Sequence, residues 1–218
     1  MKPTYFTTFL EDLEPALKRL PYSHQLAFAA SCCERAYPNY ASFSEKESWG
    51  DVAALRSSLD AVWKVAITDD RGQVGWSLLL SRCKAATPDS DMFHPKTVAA
   101  SVLITAGQEA AFMVTLLLEF RRDRNPHHAV EIAKFARDTV DRQVQVIENI
   151  DPNDPKLDER IAQHSLMLRE FQRQQHDLSA LAQINEMSGL TEFQRCALNP
   201  EYSNIGVKSR TSSPPLHS

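Results

Sequence analysis

The chain has 218 residues and a formal net charge of −4, with 43% hydrophobic and 24% charged side chains. This is the usage of an ordinary globular protein, long enough to bury a core without disulfides or metals. The small acidic surplus excludes the broad basic face that general DNA or RNA binding needs, so no nucleic-acid partner is expected.

The N-terminal stretch MKPTYFTTFLEDLEPALKRL lacks a continuous apolar run and is acidic in its middle, so no secretory signal is read there. Phe6, Phe9, Leu10, Leu13 and Leu17 fall on one face of a helix that Pro15 should kink or divide. Ser23 is placed to cap HQLAFAASCCERAY, which Pro38 should stop, and a short helix through ASFSEKE follows. Asp51 is a good cap for a helix with Val52, Leu55, Leu59, Val62 and Ala66 along one stripe. Arg56, Asp60 and Lys64 on another face of it read as a solvated ion-pair ladder.

DDRG breaks the chain, QVGWSLLLSRCKAA restarts a helix, and TPDSD breaks it again. TVAASVLITAGQEAAFMVTLLLEF, residues 97–120, is long enough for a membrane span, which needs about 20 apolar residues. Glu109 near its midpoint would cost roughly 2.5–3.5 kcal/mol at a bilayer centre. The stretch is therefore read as the central helix of a soluble core, with no membrane partner, and Glu109 is expected to reach a surface gap or pair with Arg35 or Arg56. Asn125 and Pro126 supply a cap and a first-turn proline for HHAVEIAKFARDTVDRQVQVIEN. After the turn cluster IDPNDP, one long helix is predicted from about Lys156 to Met187, with Leu157, Ile161, Leu168, Phe171, Leu178 and Leu181 on its seam. The sum is an all-α single compact helical domain, residues 1–207, of about seven helices around a central apolar helix. Residues 208–218, KSRTSSPPLHS, have the composition of a disordered C-terminal tail.

Four cysteines, Cys32, Cys33, Cys83 and Cys196, form no disulfide framework, which points to a reducing compartment, the bacterial cytoplasm. LAFAASCC, residues 26–33, is small or apolar on every side, so Cys32 and Cys33 read as core packing rather than as a metal or redox pair. Glu34 and Arg35 follow near the expected helix end, then Asn39 and Tyr40. Buried charge beside a helix break needs a partner, so Glu34, Arg35, Asn39 and Tyr40 are where a pocket is sought first. The plainer reading makes Asn39 a turn residue and Tyr40 a core aromatic with its hydroxyl at the surface.

CERAYPNYASF, with QLAFAASC before it and WGDVAALRSSLDAVW after it, resembles the bacterial family called domain of unknown function 416, the YjaG-like proteins. HAVEIAK at 128–134 and SNIGV at 203–207 agree with it. The likeness is strongest over residues 20–66, patchier to 200, and ends before the tail; the glutamine-rich EFQRQQHD also departs from the pattern. The resemblance implies a compact all-α cytoplasmic bacterial protein, associated with signalling, and brings no activity.

HHAVE is the best metal candidate, since His127 or His128 with Glu131 can converge on one ion, but two ligands do not make a site. A solvated first helical turn, with Glu131 near the positive helix end, is the favoured reading, and no metal is expected. His164, on the apolar seam, reads as a satisfied half-buried histidine, with a ligand or pH switch as the rival, and His176–Asp177 has no legible nucleophile. There is no GxSxG elbow, P-loop or Rossmann glycine pattern, so no cofactor is expected. The leading expectation is a non-enzymatic interaction or regulatory protein whose partner is another protein, with a homo-oligomer left open. The rivals are an immunity protein neutralising a cognate toxin and a metal-dependent hydrolase using His128 and Glu131, with Glu34 or His164.

Overall fold

A computed structural model describes residues 5–68, 74–198 and 200–209, with side chains from residue 12 onward. Its helices are α1 (Tyr5–Lys18), α2 (Tyr22–Glu47), α3 (Val52–Thr68), α4 (Trp76–Ala85), α5 (Val98–Asp123), α6 (His127–Ile147), α7 (Leu157–Gln163), α8 (Ser165–Gln183) and α9 (Met187–Ala197). A short 3-10 turn covers Ser90–Met92, and among the described residues there is no strand, only an isolated bridge between Tyr202 and Lys208. The all-α compact expectation holds. The nine helices among the described residues differ from the seven expected for local reasons that matter to the site.

Pro38 does not stop α2, which runs on to Glu47 with the proline inside it. A proline removes the bond to the carbonyl four residues back and costs about 3 kcal/mol in an isolated helix. Here the surroundings outweigh that loss. Leu26, Phe28, Tyr40 and Phe43 are all fully buried, against α5 on one side and α3, α6, α8 and α9 on others. The Arg35 carbonyl, near the break in the ladder, accepts the Asn204 N–H at 3.0 Å from outside the helix. Ser23 does not cap this helix; Pro21 takes that place, and Ser23 lies one residue inside. α1 likewise contains Pro15 undivided and buries Leu13 and Leu17; the side chains of Phe6, Phe9 and Leu10 lie outside the described residues.

α5 lies against α2 as the central apolar helix. Among the described residues it is the one helix long and apolar enough to cross a membrane by length and composition, and 67% of its apolar window is packed inside the protein. The two helices approach so closely at Gly107 that a β-carbon there would lie 2.8 Å from Phe43. Glu109 pairs neither with Arg35 nor with Arg56, as expected from sequence, but with α6. Arg142 Nη2 donates to it at 2.5 Å and Thr139 Oγ1 at 2.6 Å. Burial pushes its pKa up, against the pull of those two partners.

The expected 156–187 helix is broken at His164, whose ψ of 140° leaves the helical region and whose Nδ1 accepts the Leu166 N–H at 3.2 Å. The histidine thus caps α8. The break resets the inward face to Met167, Phe171 and Gln174, and Leu168, expected on the seam, is 42% exposed. α9 had no counterpart in the sequence reading; its Leu190 and Phe193 are buried, and Phe193 packs on the Trp63 ring at 6.3 Å. Of the expected tail, Lys208 bridges to Tyr202 and the Ser209 N–H donates to Glu201 O at 2.9 Å, while residues 210–218 lie outside the described residues.

Candidate functional site

Successive residues on a helix point about 100° apart. That angle, with α2 walled in on several sides, sends the four residues singled out by sequence to four different neighbours. Glu34, 2% exposed, faces α3. Arg56 clamps it with both terminal nitrogens, Nη1 to Oε2 at 2.8 Å and Nη2 to Oε1 at 2.7 Å, and Trp63 Nε1 donates to Oε1 at 2.9 Å. Such a two-pronged clamp is the strongest form of carboxylate recognition available to a side chain. Arg56 also donates to Asp60 at 2.9 Å and lies over the Tyr37 ring, 5.2 Å from its centre. Burial opposes its charge, yet Glu34 and Asp60 hold its pKa above the ordinary arginine value. The expected solvated ladder is therefore corrected: Arg56 turns inward because a buried carboxylate lies within reach.

Arg35, 6% exposed, points the other way, into α8. Its Nη1 donates to Asp177 Oδ2 at 2.7 Å, and its Nη2 reaches Glu170 Oε1 at 3.4 Å and the Cys32 sulfur at 3.2 Å. Ser31 Oγ donates to Asp177 at 2.6 Å, and Gln174 Nε2 to Glu170 at 2.8 Å. Burial works against the guanidinium charge, and the two acids still hold its pKa well above the usual value. Cys32 and Cys33 are buried free thiols, as the apolar run predicted; burial pushes the Cys32 pKa up to about 12 and that of Cys33 well up. Protonated thiols of this kind are poor nucleophiles and poor metal ligands.

Asn39 is not a turn residue but a buried one inside α2, and Tyr40 is the core aromatic expected, with its hydroxyl buried rather than at the surface. Asn39 Nδ2 donates to Asn204 Oδ1 at 2.8 Å, and Asn204 Nδ2 to Ala136 O at 2.9 Å, which ties α2, α6 and the 203–207 loop together. Arg169 Nη2 holds the same loop through the Ser203 and Asn204 carbonyls, both at 3.0 Å. The Tyr40 hydroxyl donates to Ala86 O at 2.5 Å and accepts the Asp51 N–H at 3.1 Å. Asp51 in turn caps α3 through Ala54 N at 2.9 Å, as expected. The space for this hydroxyl exists because residue 50 is glycine: a β-carbon there would come within 2.4 Å of it, at a φ of 98°.

A cleft of about 530 Å³ opens on the solvent side of the Glu34–Arg56 pair. One wall is a single face of α2, with Tyr37, Pro38, Ala41, Ser42 and Glu45 at helical spacing; the other is Pro200, Lys208 and Ser209. Of the four residues first sought, only Glu34 lines it; Arg35, Asn39 and Tyr40 are turned inward. Tyr37, Ser42 and Glu45 were missed because ending the helix at Pro38 hid the 3–4 spacing that joins 34 to 45, and Arg56 because it was read as one rung of a solvated ladder on α3. Burial raises the Tyr37 pKa, so its hydroxyl enters the cleft's chemistry as a protonated donor and acceptor.

The HHAVE pair does not converge. His127 lies 3.6 Å from Glu131, His128 pairs with Asp123 at 2.9 Å, and Lys134 Nζ takes Glu131 at 2.7 Å. Among the described residues no group of three His, Cys, Asp or Glu side chains could hold a metal ion. His176 is exposed and lies 4.0 Å from Asp177.

Comparison with known proteins agrees with the resemblance read from CERAYPNYASF. The family model DUF416, "Protein of unknown function", matches residues 12–208. "Uncharacterized protein YjaG" of Escherichia coli (strain K12) is 27% identical over 171 residues, 78% of this chain and 82% of its own length. The protein of the same name in Salmonella typhimurium is 29% identical over 125 residues, 57% of this chain and 60% of its own. A crystal structure of a DUF416 family protein from Shewanella baltica superposes with a TM-score of 0.80 at 24% identity, over 90% of this chain and 98% of that one. At that identity the likeness is one of fold.

Proposed function

The chain belongs to the DUF416 family, and we propose that it is a non-enzymatic interaction protein of the bacterial cytoplasm, which receives a segment of a partner protein in the cleft between α2, α3 and residues 200–209. The observation that carries this reading is the make-up of the cleft. Tyr37, Pro38, Ala41 and Pro200 offer apolar anchorage, while Glu45 and Lys208 add charge of both signs. An aromatic and aliphatic floor with charges around it is the anatomy of a protein-recognition surface. Its deepest acid, Glu34, already accepts three hydrogen bonds from Arg56 and Trp63, so it serves as fixed flooring. A protein that binds without turning its partner over acts by occupying or positioning it, which is a regulatory mode. Four unbridged cysteines suit a reducing compartment.

Filling the cleft tests the proposal. Tagged wild type and Ser42→Trp are used in parallel to capture proteins from the native host, with helicity and melting point as the folding control. The proposal expects at least one protein retained by the wild type and depleted about tenfold or more by the variant, as a blocked anchor pocket should produce. Identical captured sets from two equally folded proteins would remove it.

A further inference from the structure

A second cleft, of about 520 Å³, lies between α4 and the C-terminal half of α5. The chain carries a net charge of −4, yet the charged residues lining this cleft are Lys84, Arg121 and Arg122, with no acid among them. Lys84 is already matched, 3.2 Å from Glu119. Arg121 stacks on Trp76, 3.9 Å from the ring centre, and this contact holds its guanidinium in place without neutralising it. Arg122 is exposed and forms no salt bridge among the described residues; the acid next to it, Asp123, interacts with its charge but is bonded to His128 at 2.9 Å. Neither guanidinium is held by a carboxylate in an ion pair among the described residues, so an anion in the cleft is attracted by both.

Three further features favour the same kind of ligand. Ser77 and Ser81, one turn apart on α4, line the cleft with hydroxyls. α4 begins there after Gly75, which has no side chain to cap the first turn; among the described residues the Trp76 N–H is taken by the Val74 carbonyl at 2.7 Å and no side chain caps the N–H groups that follow. The Trp76 indole N–H, buried in the cleft wall, has no hydrogen-bond partner among the described residues. Beside these donors Leu80 and Leu118 form an apolar ledge. The guanidinium fork fits carboxylate and phosphate alike, but a doubly charged phosphate answers two guanidinium groups and the hydroxyls beside them with more charge and more acceptor oxygens, and the ledge calls for an apolar body attached to it.

We propose that the α4–α5 cleft binds a small organic phosphate, with the phosphate at Arg121, Arg122 and the start of α4, and a flat apolar body on Leu80, Leu118 and Trp76. This cleft is separate from the one beside α2, so the two readings stand or fall independently. The test is calorimetric or NMR titration of the full chain with phenyl phosphate, inorganic phosphate, benzoate and phenol. The expected result is saturable binding of phenyl phosphate, about tenfold or more tighter than any of the other three, because only it satisfies both the cations and the ledge. Arg122→Gln, an exposed substitution that breaks no contact, should weaken phenyl phosphate about tenfold, and Ser42→Trp in the other cleft should leave it unchanged. Absence of saturable binding, benzoate or inorganic phosphate binding as tightly as phenyl phosphate, or an affinity untouched by both Arg122→Gln and Arg121→Gln would each overturn the proposal.

Discussion

Replacing Arg35 with methionine separates the charge of this side chain from its bulk. Methionine keeps most of the aliphatic stem between α2 and α8, so what is lost is the guanidinium that faces Asp177 at 2.7 Å and Glu170 at 3.4 Å. Glu170 is 1% exposed, and its Oε2 has no hydrogen-bond partner among the described residues, so the variant leaves that acid with the Gln174 N–H as its hydrogen bond and only the more distant charges of Arg137 and Arg173. Asp177 fares better: its side chain is 13% exposed, and Ser31 still donates to it. Breaking a buried pair from one side costs about 3–5 kcal/mol, and the partial access of Asp177 to water places this case near the lower figure. For a chain of this length, ~3 kcal/mol corresponds to a fall in melting temperature of about 6–12 °C. Thermal and urea unfolding followed by circular dichroism would measure it. The reasoning also fixes the sign of a rescue: adding Glu170→Gln to Arg35→Met should restore about 1 kcal/mol or more, because the stranded charge is gone. A melting point within about 2 °C of wild type for the single variant, or a double variant that loses the full sum of both singles, would refute the account.

Gly107→Ala should destabilise by about 1–3 kcal/mol despite the better helix propensity of alanine, because its β-carbon would meet Phe43 at 2.8 Å where α5 crosses α2; a gain in stability by urea unfolding would show that the helices separate freely there. A thiol reagent should titrate one cysteine in the native protein, exposed Cys196, and all four in denaturant, since Cys32, Cys33 and Cys83 are buried. The Cys32 thiol is raised from an ordinary 9.0 to about 12, so the unfolded chain loses that proton first. Its contribution is complete below pH 9 and falls as the pH rises toward 12, and Cys32→Ala should therefore flatten the alkaline loss of stability relative to wild type.

What the sequence by itself determined was local. Helical spacing marked α3, α5 and α6 with their buried stripes, because a 3.6-residue period reflects one chain segment and the single apolar face that it must cover. The all-round apolar run at 26–33 announced a helix with neighbours on every side, and the caps at Asp51 and Asn125 were legible because capping acts over three residues. Tertiary structure decided the rest. The persistence of α2 through Pro38 depends on packing against helices that lie far along the chain, which outweighs a local penalty of about 3 kcal/mol. The break at His164 shows the reverse: an apolar period that looked continuous was cut by one residue leaving the helical region, and Leu168 went to the surface. Most of all, the choice of partner for each charge was not local. Glu34 meets Arg56 across 22 positions and Arg35 meets Asp177 across 142. A carboxylate and a guanidinium carry no preference for one another at a given separation in sequence; only the packing of α2 against α3 and α8 brings these atoms within 3 Å, and with that choice comes the side of α2 that remains open as a cleft.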